Sequence, residues 1–168
     1  MFKQEGLEKK LQYDRAPRKS LLDYFLDDDV SLEQVARGEL EDRGDFAGHT
    51  YEARVQRNPD RIRVQLTRTA MAFDLPLTIT KGIALTAGSE VVEIAYMLEG
   101  LPQNRDLHFA VELNLAGLPP QADDRYFFRG DQRLCHLGTI LDLEKGSSIG
   151  LADEWMGMRV NLDCLLYT

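Results

Sequence analysis

The sequence predicts a mostly β protein, an antiparallel β-sandwich with one short helix near the N-terminus. From residue 50 onward, apolar residues alternate with polar ones at a period of two, and turn-forming residues interrupt this pattern at short intervals. Each strand of an antiparallel sandwich buries one face, so many short alternating segments separated by turns are typical of that fold. Beyond residue 50, no window keeps apolar residues at helical spacing over three turns.

The one predicted helix covers Leu32–Arg37. Ser31 precedes Gln34 by three residues, the spacing at which a hydroxyl and a returning amide satisfy free backbone N–H groups at a helix start. Gly38 is suited to end the helix. Residues 1–29 keep no sustained period and are predicted to form an extended N-terminal arm.

The predicted strands follow the alternation. They cover residues 51–55, 62–66, 75–85, 92–98, 107–115, 126–128, 135–143, 148–151 and 158–162. Asn58-Pro59-Asp60 indicates a hairpin turn between the first two. The clearest strand is 107–115, where Leu107, Phe109 and Val111 mark a core face and the opposite face is partly polar.

Length and composition favour a single domain over residues 1–168. The chain is 43% hydrophobic and 29% charged, with no repeat or linker-like tract. A formal net charge of -8 argues against binding to a nucleic-acid backbone. No apolar run could cross a bilayer and no signal peptide is evident, so we expect no membrane partner and a cytoplasmic location. Cys135 and Cys164 are expected to be reduced.

Motifs for nucleotide, hydrolase and metal chemistry are missing from the sequence. It has no glycine-rich phosphate loop and no G-x-S-x-G elbow. His49, His108 and His136 are far apart, and Cys135, next to His136, would point to the opposite strand face, so no zinc site is expected. Asp27-Asp28-Asp29 lacks the other ligands of a calcium loop and is predicted to be a solvated acidic turn. We expect no cofactor.

Two features are candidates for binding carbohydrate. His108, Glu112 and Asn114 share one strand face by the period of two and could bond sugar hydroxyls; the alternative is an exposed or interface-covered sheet face. Trp155, the one tryptophan, could stack on a pyranose ring; the alternative is a packing anchor.

Four segments, in order along the chain, carry a family resemblance. They are Tyr13-Asp14-Arg15-Ala16-Pro17-Arg18-Lys19-Ser20-Leu21-Leu22-Asp23-Tyr24-Phe25-Leu26, Arg43-Gly44-Asp45-Phe46, Val111-Glu112-Leu113-Asn114-Leu115 and Asp153-Glu154-Trp155-Met156-Gly157. They resemble the C-terminal β-rich region of family-57 glycoside hydrolases, the α-amylase and 4-α-glucanotransferase group. The resemblance covers nearly the whole chain.

This resemblance implies a supersandwich, related to galactose mutarotase-like domains, that packs beside a catalytic barrel. The family's catalytic carboxylates belong to that barrel, which nothing in this chain matches, so no catalytic residue is carried over. The expected function is a non-catalytic accessory domain, a fragment of a larger α-glucan-processing enzyme, with the barrel and an α-glucan or maltooligosaccharide as partners. The family's region usually continues with further strands, so an unpaired edge here could support a homodimer.

Two alternative functions remain open. A self-sufficient sugar epimerase would use His108 as base and Glu112 as its partner, both within reach of one substrate carbon. A pure protein-interaction domain would present a flat, partner-covered polar face.

Overall fold

The computed structural model describes residues 19–104, 106–115, 119–143 and 148–165. These residues form mostly antiparallel β-structure with one short helix, as predicted. The elements are β1 (Leu22–Leu26), α1 (Leu32–Arg37), β2 (Glu52–Arg57), β3 (Arg61–Ala72), β4 (Leu75–Thr86), β5 (Val92–Glu99), β6 (His108–Glu112), β7 (Arg125–Arg129), β8 (Gln132–His136), β9 (Ser148–Asp153) and β10 (Met158–Asp163).

The described residues fall into two compact units. The first unit takes residues up to 30 and residues 40–114, and the second takes residues 31–39 and those from 115 onward. That residues 1–168 make a single domain stays a prediction. The predicted N-terminal arm contains β1, and its residues 1–18 lie outside the described part.

The first unit has two antiparallel layers. One is the sheet β2-β3-β4-β5 and the other is the pair β1-β6. Phe25 of β1 is fully buried, with ring centroids 5.5 Å from Phe46 and 5.3 Å from Phe109, and it packs with Leu77 and Ile79 of β4. Each such aromatic pair contributes about 0.5–1.5 kcal/mol beyond its area burial. This packing of β on β agrees with the predicted sandwich.

The second unit contains a separate antiparallel sheet in the order β10-β9-β7-β8. Its small buried cluster consists of Tyr126, Phe128 and Ala152. The ring of Phe128 lies over Gly150 of β9, where an added Cβ would come within 2.2 Å of the ring. A glycine is therefore needed in the middle of this strand.

The helix α1 has the predicted ends. The Gln34 N–H donates to Ser31 Oγ at 3.3 Å, and the Ser31 N–H donates to Gln34 Oε1 at 2.8 Å, which completes the predicted capping box. Gly38 follows in the left-handed region with φ 67°, a conformation that costs glycine little. Six residues make up this helix, and the described part of the chain holds no helix long and apolar enough to cross a membrane.

Two strand predictions were too long. The predicted strand 107–115 is strand only over His108–Glu112, where its partner β1 ends. The predicted strand 135–143 stops at His136, because pairing with β7 ends there and the Thr139 N–H turns back to the His136 carbonyl. Gly117 and Lys145-Gly146, predicted as turns, lie outside the described residues.

Candidate functional site

The four sequence-predicted site residues lie in two places. His108 and Glu112 stand at the two ends of β6, and Asn114 follows two residues later, all in the first unit. Trp155 belongs to the second unit, in the turn between β9 and β10. Glu112 and Asn114 are brought together, with Asn114 Nδ2 2.7 Å from Glu112 Oε1.

Glu112 is already engaged on both carboxylate oxygens. The Tyr24 hydroxyl donates to Oε2 at 2.8 Å, and Asn114 Nδ2 donates to Oε1 and also to the Lys19 carbonyl at 2.7 Å. Burial, together with the bond to Glu112, raises the pKa of Tyr24 well above its usual range. This network ties β1 to β6, so a sugar hydroxyl would meet side chains that already have partners.

His108 does not converge with Glu112. The histidine is exposed, and its Nδ1 lies 3.5 Å from the Asp27 carbonyl. Four residues along a strand correspond to roughly 13 Å, too far for both side chains to reach one substrate carbon. The geometry therefore argues against the epimerase alternative.

Trp155 projects from a turn that a buried carboxylate holds in place. Asp153 Oδ1 accepts the Met156 N–H at 3.0 Å, and Asp153 Oδ2 accepts Arg125 Nε at 3.0 Å. The Met156 N–H and then the guanidinium of Arg125 outweigh burial and lower the pKa of Asp153. The carboxylate thus fixes the turn from inside.

Two further contacts hold the same turn from its flanks. The Tyr126 hydroxyl donates to Glu154 Oε1 at 2.8 Å, and the Glu154 N–H donates to the Asp124 carbonyl at 2.9 Å. Trp155 is nevertheless 81% exposed. Trp155 therefore does not anchor a core among the described residues, and the alternative reading of it as a packing anchor is wrong for this part of the chain. The indole faces outward from a turn that is held in place.

A buried polar cluster in the first unit was not predicted from the sequence. Lys81 Nζ lies 2.5 Å from Asp23 Oδ2 and donates to the Leu21 carbonyl at 2.7 Å, with both charged side chains almost fully buried. The Tyr51 hydroxyl also donates to Asp23, and Lys81 Nζ lies 4.2 Å from the centre of the Tyr51 ring. The available signal was a lysine at an inward position of an alternating strand.

Tyr51 and Tyr96 adjoin the buried carboxylate of Asp23. Burial and the adjacent Asp23 raise the pKa of Tyr51 and of Tyr96. The Tyr96 hydroxyl is close to the charge of Asp23 but makes no hydrogen bond to it. Within the described chain, this hydroxyl and Asp23 Oδ1 are both buried without a hydrogen-bond partner. Because the charged pair of Lys81 and Asp23 is almost fully buried, the cluster suits a structural role better than substrate binding.

The predicted acidic turn at Asp27-Asp28-Asp29 borders an open depression of about 360 Å³. Asp27 Oδ2 pairs with Arg43 Nη2 at 2.8 Å, and Phe73 and Asp74 also line the depression. Across the described ranges, no group of three or more histidine, cysteine or acidic side chains is placed to hold a metal ion.

A family model matches nearly the whole chain. The chain is a member of the family described as Alpha-amylase/4-alpha-glucanotransferase, C-terminal, whose sequence model matches residues 1–165. The resemblance identified from four sequence segments is therefore confirmed.

Two known proteins are similar to the chain. Alpha-amylase 1 of Dictyoglomus thermophilum is 26% identical over 165 residues, which cover 98% of this chain and 23% of that protein. The crystal structure of 4-alpha-glucanotransferase from Thermococcus litoralis shares the fold with a TM-score of 0.61 and 20% identity, over 95% of this chain and 22% of that one. The chain thus spans less than a quarter of either relative.

Proposed function

We propose that the chain is a non-catalytic accessory domain of an α-glucan-processing glycoside hydrolase or glucanotransferase, and that its Trp155 turn contacts α-glucan. Family membership and the names of the two relatives support the first part. In this proposal, catalysis belongs to a barrel outside the chain, and the domain supports it. A cytoplasmic setting stays a prediction, in keeping with the free thiols of Cys135 and Cys164.

The observation that carries the glucan contact is the exposure of Trp155 on a fixed turn. An indole offers a flat apolar face for stacking and one N–H donor for a hydroxyl. Asp153, Arg125 and Glu154 hold the backbone beneath it. Little conformational freedom would therefore be lost from the turn on binding, which favours affinity.

Glu112 and Asn114 are proposed as secondary contacts only. Their mutual hydrogen bond and the bond from Tyr24 must persist or be exchanged when a sugar hydroxyl arrives. Exchange of one hydrogen bond for another gives little net free energy. We therefore expect them to contribute less than Trp155.

Calorimetric titration of the chain with maltoheptaose tests the glucan contact. We expect saturable binding, with Trp155→Ala weakening the affinity at least about fivefold, since about 1 kcal/mol of stacking corresponds to that factor. Glu112→Ala should weaken it less. Met156→Ala is the matched control, because its side chain is also exposed, at 67%, on the same turn, and should change the affinity less than about twofold.

Two outcomes would contradict parts of the proposal. No binding at millimolar maltoheptaose would remove the glucan contact and leave a supporting domain. Equal losses for Trp155→Ala and Met156→Ala would show that the turn as a whole, and not the indole, determines binding.

A further inference from the structure

One face of the sheet β2-β3-β4-β5 carries apolar residues aligned in two rows across the strands. The first row pairs Val55 with Val64, Val64 with Ile83 and Ile83 with Ile94, and the second pairs Ile62 with Leu85 and Leu85 with Val92. We call these seven residues the apolar rows. Directly paired residues point to the same side of a sheet, and the two rows are two residues apart on β3, β4 and β5, so they share one face. On β2 the first row has Val55, and the position paired with Ile62 in the second row is Arg57.

This face continues the face that bears the core. In β4, Leu77, Ile79 and Lys81 precede Ile83 at steps of two residues, and these three are buried. Further along the strands, residues on the same face are no longer buried. Val55, Ile62, Leu85, Val92 and Ile94 are 39–54% exposed.

The opposite face of the same strands is more polar, although it also carries Ala84, Ala95 and Met97. Its members, from the same register, include Arg54, Gln56, Arg63, Gln65 and Glu93. A sheet with one polar and one apolar face is built to have the apolar face covered. Contiguous apolar patches of this kind on a protein surface are often functional.

The size of the apolar rows limits what can cover them. Neighbouring strands lie about 4.8 Å apart, and residues on one face of a strand repeat about every 6.8 Å. Four strands and two rows therefore cover a flat area on the order of 300 Å². A stable interface between free proteins takes about 800 Å² on each partner. A covalently joined segment needs far less, because the tether supplies an effective concentration of roughly millimolar.

We propose that the apolar rows dock against aliphatic side chains of a covalently joined segment, from the part of an α-glucan-processing polypeptide that lies outside these 168 residues. The two relatives have room for such a segment, since more than three quarters of each lies outside the matched region. The inference rests on the proposed function and adds to it the surface by which the domain joins its enzyme.

Cysteine labelling compares the chain alone with a chimera in which it replaces the matched region of the Dictyoglomus alpha-amylase 1. The background carries Cys135→Ser and Cys164→Ser, which remove the two free thiols. Val92→Cys reports on the apolar rows. Met97→Cys is the control, because Met97 is 51% exposed on the opposite face of the same strand.

We expect a maleimide to label Val92→Cys at least about tenfold more slowly in the chimera than in the chain alone, and Met97→Cys at rates within about twofold. Equal labelling of Val92→Cys in a chimera that keeps its amylase activity would overturn the inference and leave the proposed function standing. A chimera without amylase activity would count against both.

One further outcome concerns a second copy of the chain. Protection of Val92→Cys in the chain alone, growing with protein concentration, would mean that a second copy covers the apolar rows. That result would overturn the inference in favour of the homodimer.

Discussion

At the scale of single residues, the buried pair of Lys81 and Asp23 is the feature with the largest expected effect on stability. Both side chains are at most 4% exposed. Burial of two charges costs several kcal/mol per ion, and only close pairing and further hydrogen bonds offset that cost. The Leu21 carbonyl and the Tyr51 hydroxyl supply such bonds, so the pair depends on β1 lying against the larger sheet.

We expect Lys81→Met to destabilise the protein by about 3–5 kcal/mol, because it leaves the Asp23 carboxylate buried and unpaired. Urea unfolding followed by circular dichroism measures the effect. Arg37→Ala is the control: its ion pair with Glu39 is exposed, and its loss should cost about 1 kcal/mol or less. A Lys81→Met protein as stable as wild type would contradict the structural role assigned to this pair.

Because of the two tyrosines beside Asp23, we expect the stability of the protein to depend on pH in the alkaline range. Their folded-state pKa values are raised above the ordinary 10.0, by burial first and then by interaction with Asp23. The stability that follows is fully present below pH 10.0 and is lost as the pH rises through the raised values.

An absorbance titration of phenolate checks this response. Tyr51 and Tyr96 should ionise only as the protein unfolds, later than free tyrosine. Tyr51→Phe should remove one late-titrating group and leave the others. Normal titration of every tyrosine in folded protein would argue against the burial described for this cluster.

At the scale of elements, β9 depends on a glycine. The Phe128 ring of the neighbouring β7 occupies the space where a Cβ at residue 150 would lie. We expect Gly150→Ala to destabilise the protein by about 1–3 kcal/mol, the usual cost of forcing atoms into packed space. Gly82→Ala in β4 is the matched control, since its Cβ would meet no atom within 4 Å, and it should be neutral or slightly stabilising. Thermal unfolding of both variants decides.

The turn between β9 and β10 depends on the charge of Asp153. Its pKa is lowered below the ordinary 3.8, first by the Met156 N–H, so its contribution to stability is present above that value and is lost as the pH falls through the folded-state pKa. We expect Asp153→Asn to destabilise the protein at neutral pH and the difference from wild type to shrink below about pH 3.8. Urea unfolding across this range measures it. A constant difference would mean that the charge is unimportant.

At the scale of the whole molecule, alternation in the sequence predicted most strands because each sheet has one face that is more apolar than the other. The helix was predicted residue for residue, since Ser31, Gln34 and Gly38 act locally. Strand ends were predicted less well. β6 stops where its partner β1 stops, and that pairing joins segments far apart in sequence. β8 stops where its hairpin pairing with the neighbouring β7 ends.

The candidate site was predicted in outline only. Trp155 was singled out as a lone indole in a segment similar to the family, but the carboxylate that fixes its turn pairs with Arg125, 28 residues away. Lys81 and Asp23 are separated by 58 positions in the chain, and no local pattern joins them. Contacts of this range arise from strand order, which alternation alone does not specify.

Because of its position, the intrinsic fluorescence of Trp155 can report on binding at its turn. The chain has one tryptophan, and that indole stands in water at the tip of a fixed turn. Binding of a sugar chain or of another part of an enzyme to the turn removes water from this one fluorophore. Its emission then shifts to shorter wavelength. Association at this turn can therefore be followed without a label.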